Sequence, residues 1–434
     1  MVVIRVMRTL ALGVGLGFGL VAADNFGLFV TLVLVAVGIL TVALSSQLIA
    51  RDGINGGEYY ALMLFGLGGM MLMATATELL VMFIALEILS LAVYILTAIR
   101  RDSRPGAEAA FKYFLLGGFS SSFFLYGIAF TYGIAGTTRL DEVVRVTSRV
   151  SAGNELLTYL ALGLLLVGFA FKVSAVPFHM WTPDAYEGAP PVVTAFMSAG
   201  VKAAAFAAFV RVFMSSFSGL QPQWEPVIWM LSAASMVVGV VAGVAQRNVR
   251  RMLAYSSIAH AGYLLMAMAA GNDTGKGAAL FYLLVYALTS IGAFGVTALI
   301  ATSDRTNDDL SDYAGLASRQ PLLALVMTIF LLSLGGFPPT AGFIGKWYLF
   351  GAAVDAGHYG LAVIGVLTSV VSVFLYLRVV VMMYMSDSTA PGSVAAPSVP
   401  SLVALGVPLV ASVYLGVLPA RVLELAVQSI APLL

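Results

Sequence analysis

The chain has 434 residues, of which 60% are hydrophobic and only 10% charged, and its net charge is +1. Soluble domains carry about 25% charged residues, so this composition indicates an integral membrane protein, and the small net charge argues against a nucleic-acid partner. Because the sequence contains no cysteine, it excludes disulfide bonds and cysteine-ligated iron–sulfur clusters. With only three histidines, we predict no haem and no metal site in this chain.

Apolar segments of the length that crosses a bilayer recur along the whole chain. The first, Met1 to Ala23, has two arginines before an apolar run, as a signal peptide does, but no convincing cleavage site follows, so we interpret it as a span. We therefore predict an all-α polytopic membrane protein. Its transmembrane helices, about thirteen in number, are predicted at 6–23, 26–50, 59–76, 79–99, 111–135, 156–184, 190–214, 225–245, 251–270, 278–301, 321–350, 360–385 and 401–418.

Basic residues cluster on alternate connections between these spans. The richer set comprises Arg5, Arg8, Arg51, Arg100, Arg101, Arg104, Arg247, Arg250, Arg251, Arg305 and Arg319, and the opposite set is chiefly Arg139, Arg145, Arg149 and Lys276. Since positively charged connections stay in the cytoplasm, the N-terminus is predicted to be cytoplasmic. An odd number of spans then places the C-terminus outside.

Two predicted spans, 156–184 and 321–350, are too long for one straight crossing. Each would form a helix of roughly 45 Å at 1.5 Å per residue, whereas the hydrocarbon core is about 30 Å thick. Both contain helix-breaking residues, Pro177 in the first and Gly335-Gly336-Phe337-Pro338-Pro339 in the second. We therefore predict two discontinuous helices.

The chain also repeats itself. Residues 79–94 align with 248–263 at an offset of 169 (263 − 94), and in the next span Tyr113 aligns with Tyr282. The predicted units contain five spans each, at 59–214 and 225–385, between N-terminal spans at 1–58 and a C-terminal span at 386–434. Because five is odd, the second unit crosses the membrane in the opposite sense, which makes the repeat an inverted one.

Three lysines lie within predicted spans, Lys172 and Lys346 close to the two breaks and Lys202 near the centre of 190–214. A charge at bilayer depth is costly, so it normally has a partner, a water-filled cavity and a function. A lysine near a span end can instead extend to the interface, an alternative that remains for Lys346 but not for the central Lys202. Buried lysines beside broken helices are typical of ion transport.

Glu87 lies in the middle of its span with Ser90 on the same helical face, and it is either part of a functional charge pair or a carboxyl at a helix interface. Ser256 occupies its place in the second unit (256 − 87 = 169), and His260 lies one turn further, either as a proton relay or as a packing residue. Residues predicted to break helices or to line a channel are Pro177, His179, Asp184, Pro338 and Pro339.

Several stretches carry a resemblance to a known family: EYYALMLFGLGGMMLMATA (58–76), FKYFLLGGFSSSFFLYG (111–127), FKVSAVPFHMWTPDAYEGAP (171–190), RRMLAYSSIAHAGYLL (250–265) and SLGGFPPTAGFIGKWYLF (333–350). They resemble the proton-conducting membrane subunits of respiratory complex I, which share their fold with subunits of multi-subunit cation/proton antiporters. Within this family the sequence is most similar to the subunit N group of bacterial NADH:quinone oxidoreductase, the counterpart of mitochondrial subunit 2. Members usually have fourteen spans, whereas we predict about thirteen here, one fewer near the N-terminus.

The resemblance implies how such a chain would work. In the family a glutamate at the position of Glu87 pairs with the lysine of the first broken helix, here Lys172, so the distance between the two would control whether that lysine keeps its proton. Lys172, Lys202 and Lys346 would be successive stations of a central hydrophilic axis, and His260 could relay protons between the last two.

The resemblance also implies the surroundings of the chain. Redox chemistry would take place in partner subunits that hold flavin, iron–sulfur clusters and quinone, and sister antiporter-like subunits would lie beside this one in a bacterial inner membrane. The sequence has no glycine-rich phosphate loop in a strand–helix setting, so we expect no direct NADH binding. Two other functions remain: a subunit of a multi-subunit Na⁺/H⁺ antiporter, and, more weakly supported, a solute transporter.

Overall fold

The computed structural model describes residues 19–147, 155–302, 308–387 and 396–430. Within these ranges ten helices are long and apolar enough to cross a membrane, which confirms the predicted all-α membrane class. The predicted total of about thirteen spans is not confirmed, and the first predicted span, 6–23, lies mostly outside the described residues.

The described helices follow the predicted spans closely. In chain order they are α1 Asn25–Arg51, α2 Gly56–Thr75, α3 Leu79–Thr97, α4 Arg104–Ala135, α5 Leu140–Thr147, α6 Glu155–Lys172, α7 Trp181–Gly188, α8 Pro191–Ser216, α9 Gln221–Val244, α10 Val249–Ala270, α11 Asp273–Ile300, α12 Leu316–Arg319, α13 Pro321–Gly335, α14 Ala341–Asp355, α15 Tyr359–Met385, α16 Val399–Val417 and α17 Ala420–Ile430.

This series differs from the sequence prediction at several points, among them the short helices α5 and α12, which no predicted span covers. Helix α4 begins at Arg104, before the predicted residue 111, because the Ser103 hydroxyl accepts a hydrogen bond from the Gly106 N–H and Pro105 occupies the first turn. The C-terminal segment 386–434 was predicted to hold one helix, but it also contains α17, which is short and amphipathic. A search for long apolar runs does not detect a helix of this kind.

The prolines break two helices as predicted. The chain leaves helical geometry between α6 and α7, around Pro177, and again between α13 and α14, around Pro338 and Pro339. The indole N–H of Trp181 donates to the carbonyl oxygen of Phe171 at 2.9 Å, so a side chain from beyond the first break satisfies a carbonyl at the end of α6.

The buried centre of the bundle is formed by α8, α10 and α11, whereas the outer faces of α3, α4, α15 and α16 are exposed. Small residues allow α8 to be enclosed, since Ala203, Ala204 and Ala205 are all buried. A π-helical turn, Met197–Val201, ends directly before Lys202, and such turns are frequent at functional sites.

Equivalent glycines support the predicted internal repeat. A methyl group placed on Gly69 in α2 would lie 2.7 Å from the backbone nitrogen of Leu89 in α3, and one placed on Gly239 in α9 would lie 2.6 Å from the backbone nitrogen of Ala259 in α10. Both partners of the second contact are 170 residues after those of the first (239 − 69 and 259 − 89), one more than the predicted offset of 169. In this helix pair Ser257 (257 − 87 = 170) therefore takes the place of Glu87, and the predicted equivalence of Ser256 with Glu87 is wrong by one residue. The same close helix crossing thus occurs twice, although the exact unit boundaries, 59–214 and 225–385, stay a prediction.

Isolated antiparallel bridges repeat with the same spacing. Glu78 pairs with Arg139 before α3, and Asn248 pairs with Asp309 before α10. The differences 248 − 78 and 309 − 139 are again 170. Corresponding helices therefore begin in corresponding backbone arrangements, which further supports the repeat.

The helix crossing at Gly69 gives a testable stability prediction. We expect Gly69→Ala to destabilise the folded chain by about 1–3 kcal/mol, because the added methyl group meets backbone atoms that cannot move aside without separating α2 from α3. The measurement is the midpoint of thermal unfolding of the purified protein.

The neighbouring glycine provides a matched control for this change. A methyl group on Gly68 would meet no atom within 4 Å, so Gly68→Ala should leave the unfolding midpoint unchanged or raise it slightly. Equal destabilisation by both substitutions would contradict the close-contact explanation.

Candidate functional site

Lys172, the last residue of α6, lies at the first helix break and is 3% exposed. Its Nζ donates a hydrogen bond to the Ser90 hydroxyl of α3 at 2.7 Å. The ammonium also lies over the rings of Tyr94 and Tyr113, 5.8 and 5.7 Å from their centroids, an arrangement that stabilises a cation.

Glu87 does not contact Lys172 directly in this structure. Its carboxylate accepts a hydrogen bond from Ser121 of α4 at 2.5 Å, and no ion pair among the described residues joins it to the lysine. Ser90, which holds Lys172, lies three residues further along the same helix. The carboxylate and the ammonium are thus held by neighbouring hydroxyl groups, and their direct pairing stays a prediction.

Lys202 of α8 is enclosed at the centre of the bundle and is 2% exposed. Its Nζ donates to the carbonyl oxygen of Ser257 in α10 at 2.6 Å and contacts the hydroxyl of the same residue. The ring of Tyr286 in α11 lies 5.5 Å from the ammonium. No carboxylate pairs with it among the described residues, so neutral groups alone stabilise this buried lysine.

Lys346 of α14 is equally buried, at 3% exposure, which removes the alternative that its ammonium extends to the membrane interface. Its Nζ donates to the carbonyl oxygen of Gly335 at 3.1 Å and to the Ser369 hydroxyl at 2.9 Å. Gly335 is the last residue of α13, so the ammonium faces the C-terminal end of a half-helix, where the helix dipole favours a positive charge. Tyr263 lies 4.9 Å from it.

His260 of α10 is 2% exposed and is enclosed by tyrosines. Its Nδ1 lies 2.5 Å from the Tyr282 hydroxyl and its Nε2 lies 3.2 Å from the Tyr376 hydroxyl. Tyr376 in turn contacts the Ser256 hydroxyl. Both ring nitrogens therefore have hydroxyl partners that can donate or accept, an arrangement compatible with a proton relay.

Lys202 and Lys346 are connected through the surroundings of His260. On one side, the ring of Tyr286 lies 5.2 Å from the imidazole and, as described, close to Lys202. On the other side, the ring of Tyr263 lies 5.6 Å from the imidazole and close to Lys346. The tyrosines beside His260 thus contact the surroundings of both lysines.

The residues predicted to line a channel or to break helices lie at three separate places: the first break, the second break and an ion cluster. Pro177 and the half-buried His179 lie in the first break, and Pro338 and Pro339 lie in the second. Asp184 of α7 belongs to an ion cluster instead, since it accepts from Arg251 of α10 at 2.8 Å and from Lys112 of α4 at 3.2 Å. This cluster connects the segment after the first break to two other helices.

Sequence reasoning missed the aromatic side chains that surround the lysines. Because tyrosine is compatible with any membrane helix, the number of tyrosines does not indicate which of them lie beside a functional site. The repeat alignment of Tyr113 with Tyr282 was the one available indication, because both side chains prove to lie beside functional candidates. The residues added by the structure are Tyr113, Trp181, Tyr186, Ser257, Tyr263, Tyr282, Tyr286, Ser369 and Tyr376.

Metal ligation has no support in the described ranges. They contain no group of three or more histidine, cysteine, aspartate or glutamate side chains that could hold a metal ion. The buried polar side chains that converge in this part of the chain are lysine, histidine, tyrosine and serine, residue types that can bind and release protons.

The fold and this site define a polytopic membrane subunit of the antiporter-like type, with two broken helices and a central series of buried lysines. The family described as "NADH:quinone oxidoreductase/Mrp antiporter, TM" matches residues 76–372. Among its members, the chain belongs to the NADH-quinone oxidoreductase subunit N family, as its sequence motifs predicted.

Individual relatives support this assignment. The chain is 46% identical to NADH-quinone oxidoreductase subunit N of Trichlorobacter lovleyi, over 94% of this chain and 84% of that protein. It is 43% identical to subunit N of Chloroflexus aggregans, over 95% of this chain and 85% of that protein.

Solved structures agree with the sequence comparison. A chain of respiratory complex I from Thermus thermophilus with bound aureothin superimposes with a TM-score of 0.80 at 39% identity, covering 98% of this chain and 93% of that one. The Mrp complex of a Dietzia species gives a TM-score of 0.81 at 23% identity, covering 93% of this chain and 83% of that one. At this level of identity the second likeness supports the fold alone.

Proposed function

We propose that this chain is a non-redox membrane-arm subunit of a complex I-type NADH:quinone oxidoreductase and translocates protons across the membrane. The protons would pass along a central axis that includes Lys172, Lys202 and Lys346. The energy would come from redox chemistry in partner subunits that carry flavin, iron–sulfur clusters and the quinone site.

The observation that carries this proposal is the interval between Lys202 and Lys346. Each ammonium has hydroxyl and carbonyl partners rather than a carboxylate, and His260 lies between them with both ring nitrogens beside tyrosine hydroxyls. Proton transfer requires groups that both donate and accept within hydrogen-bond reach. Serine, tyrosine and histidine satisfy this requirement, whereas a purely structural buried lysine needs only acceptors.

The three lysines would influence one another electrostatically. In a water-excluded interior, the interaction between two charges is several times stronger than in water. Arrival of a proton at one lysine therefore disfavours a second proton on its neighbour, so transfer along the series would be ordered. Glu87, held by Ser121 near the Lys172 site, would take part at the first position.

The orientation follows from the charged connections. Arg51, Arg101 and Arg251 are predicted to lie on the same side of the membrane, the side whose connections carry most of the basic residues. We place this face in the cytoplasm of a bacterial cell, according to the positive-inside rule. Neighbouring membrane-arm subunits, including antiporter-like sisters, would lie against the exposed faces of the bundle.

The relay is tested by replacing His260 with phenylalanine in the intact complex. We expect proton translocation to fall by roughly a hundredfold, because a positioned proton-transfer group contributes about 10²–10⁴-fold to such steps. The measurement is acidification of proteoliposomes on addition of NADH and quinone, with quinone reduction followed in parallel.

A control and the ion dependence complete this test. Tyr313→Phe removes a buried hydroxyl that has no hydrogen-bond partner among the described residues and lies outside the series of lysines, so it should behave as wild type. If the His260 variant pumps normally, the imidazole is a packing residue and the relay is wrong. If translocation requires Na⁺ and persists without an electron donor, the chain functions as a Na⁺/H⁺ antiporter subunit instead.

A further inference from the structure

Two arginines occupy corresponding places in the two predicted five-helix units. Arg211 lies in α8 and Arg378 in α15, the fifth membrane helix of each unit. Arg211 Nε donates to the carbonyl oxygen of Ala74, at the end of α2, at 3.1 Å, and Arg378 Nη1 donates to that of Val244, the last residue of α9, at 2.9 Å. The two carbonyl groups are again 170 residues apart (244 − 74). Each arginine therefore binds the C-terminal end of the first helix of its own unit, where the helix dipole favours a cation.

The two arginines differ in their counterion. Nη1 and Nη2 of Arg211 donate to the two carboxylate oxygens of Asp24 at 2.7 and 2.9 Å. Arg378 forms no ion pair with any described residue: its Nη2 donates to the carbonyl oxygen of Gln246, and its Nε is buried without a hydrogen-bond partner in the described ranges. Because Asp24 lies outside the unit 59–214, the repeat itself supplies a counterion to neither arginine. The second unit must obtain one from elsewhere.

Carboxylates beside the connection between α9 and α10 have other partners. Asp308 pairs with Arg250, and Asp309 belongs to the capping box of a short helical turn. Arg247 directly follows the residue whose carbonyl oxygen accepts from Arg378, is exposed, and has no ion pair in the part of the chain that the structure describes. Two arginines without a counterion thus lie at the same end of α9 and α15.

The surface beside Arg378 is apolar. On the same helix Phe374, Leu377 and Val381 are 58%, 37% and 45% exposed, and Val241 of the adjacent α9 is 65% exposed. In a membrane protein such side chains are in contact with lipid or with another membrane subunit. Since the guanidinium binds the end of α9, it lies where a membrane helix ends, at the depth of the lipid headgroups.

From these observations we propose that Arg378 and Arg247 bind the phosphate of an anionic phospholipid, whose acyl chains lie along the apolar surfaces of α9 and α15. A guanidinium has five N–H donors, and Arg378 uses only two of them on backbone carbonyl groups. A lipid phosphate would accept from the others and supply the negative charge that Asp24 supplies to Arg211.

The apolar surface favours a lipid over a carboxylate of a neighbouring subunit as the occupant. Acyl chains cover exposed aliphatic and aromatic side chains, and the headgroup of the same molecule reaches the arginines. An anionic headgroup is required because the choline of phosphatidylcholine offsets the charge of its own phosphate. The inference goes beyond the proposed function, since it does not depend on proton translocation.

The site is tested on the purified full chain in a neutral detergent, with phosphatidylglycerol or phosphatidylcholine added. We expect phosphatidylglycerol to raise the thermal unfolding midpoint by roughly 2–4 °C more than phosphatidylcholine does, and native mass spectrometry to show an anionic lipid that stays bound. Arg378→Gln should lose this preference. Arg101→Gln is the matched control, because Arg101 already pairs with Glu58 at 3.2 Å, and it should keep the wild-type preference.

A second pair of variants tests the missing counterion without removing the arginine. Val381 lies one turn beyond Arg378 and is 45% exposed, so a glutamate there can pair with the guanidinium without disturbing the core. Val381→Glu should therefore lose the preference for phosphatidylglycerol, whereas the uncharged Val381→Gln should retain it. If Arg378→Gln fails to fold, the Val381 pair decides alone.

Three results would overturn the site. The first is an unchanged preference for phosphatidylglycerol in Val381→Glu. The second is equal stabilisation of the wild-type chain by both lipids, which would leave a carboxylate of a neighbouring subunit as the counterion. The third is equal stabilisation by inorganic phosphate, which would show that the acyl chains contribute nothing. Because none of these results concerns pumping by His260→Phe, the lipid site and the proposed function can fail separately.

Discussion

Replacement of Lys202 by methionine is expected to abolish proton translocation and to slow quinone reduction together. Methionine retains the length and apolar volume of the side chain, so the enclosed helix α8 should still pack. The substitution removes the group that receives hydrogen-bond support from Ser257 and that lies at the centre of the series of lysines. We expect a loss of roughly a hundredfold in pumping, in line with a positioned proton-transfer group.

This prediction is measured with the complex in proteoliposomes, where a pH-sensitive dye reports pumping and absorbance reports NADH oxidation. Lys276→Met is the matched control, because Lys276 lies near the start of α11 with Asp273 as its partner at 3.4 Å and outside the lysine series. If both activities persist in the Lys202 variant, the axial role of the lysines is wrong. If NADH oxidation alone persists, Lys202 is required for translocation but redox turnover is not tightly coupled to it.

Replacement of Arg250 by methionine is expected to cause the largest loss of stability. Arg250 is 2% exposed and forms two hydrogen bonds with Asp308, one of them from Nε at 2.6 Å, and Nη1 donates to the carbonyl oxygen of Ala189 at 2.7 Å. Removing one partner of a buried ion pair leaves the other charge uncompensated, which costs about 3–5 kcal/mol. The measurement is the thermal unfolding midpoint and the amount of the chain retained in the purified complex.

The double variant Arg250→Met/Asp308→Asn distinguishes this cause from a simple loss of packing. Because the buried carboxylate is then absent, the double variant should be more stable than Arg250→Met alone. An exposed pair provides the contrast: Arg101 and Glu58 are 84% and 51% exposed, so Arg101→Ala should have no measurable effect. A double variant as unstable as the single one would contradict the uncompensated-charge explanation.

Much of the fold could be read from the sequence because the bilayer restricts the possible structures. A backbone in hydrocarbon must satisfy its own hydrogen bonds, so long apolar segments form helices. Proline removes a backbone donor, so Pro177 and the pair Pro338-Pro339 locate the two breaks. The short helices α5 and α17 lie outside this reasoning, since neither is long enough or apolar enough to be recognised as a span.

Sequence reasoning predicted the charged residues of the candidate site but not the side chains that contact them. Lys172, Lys202, Lys346 and His260 were conspicuous because a charge or imidazole in an apolar span is costly. Their partners come from distant parts of the chain, as with Lys172 and Ser90, which are 82 residues apart in sequence. Nothing local to either residue indicates such a contact.

The sequence by itself thus determined the membrane class, the helix breaks, the internal repeat and the identity of the buried charges, because each depends on local composition or on self-similarity. Only the tertiary structure decided that Ser90 rather than Glu87 contacts Lys172 directly, that tyrosines enclose His260, and that Tyr113, stacked on Trp181, lies beside Lys172. These arrangements depend on how helices pack against one another. In an apolar helix, the type of a side chain does not indicate whether it contacts protein or lipid. Only helix packing decides which side chains meet.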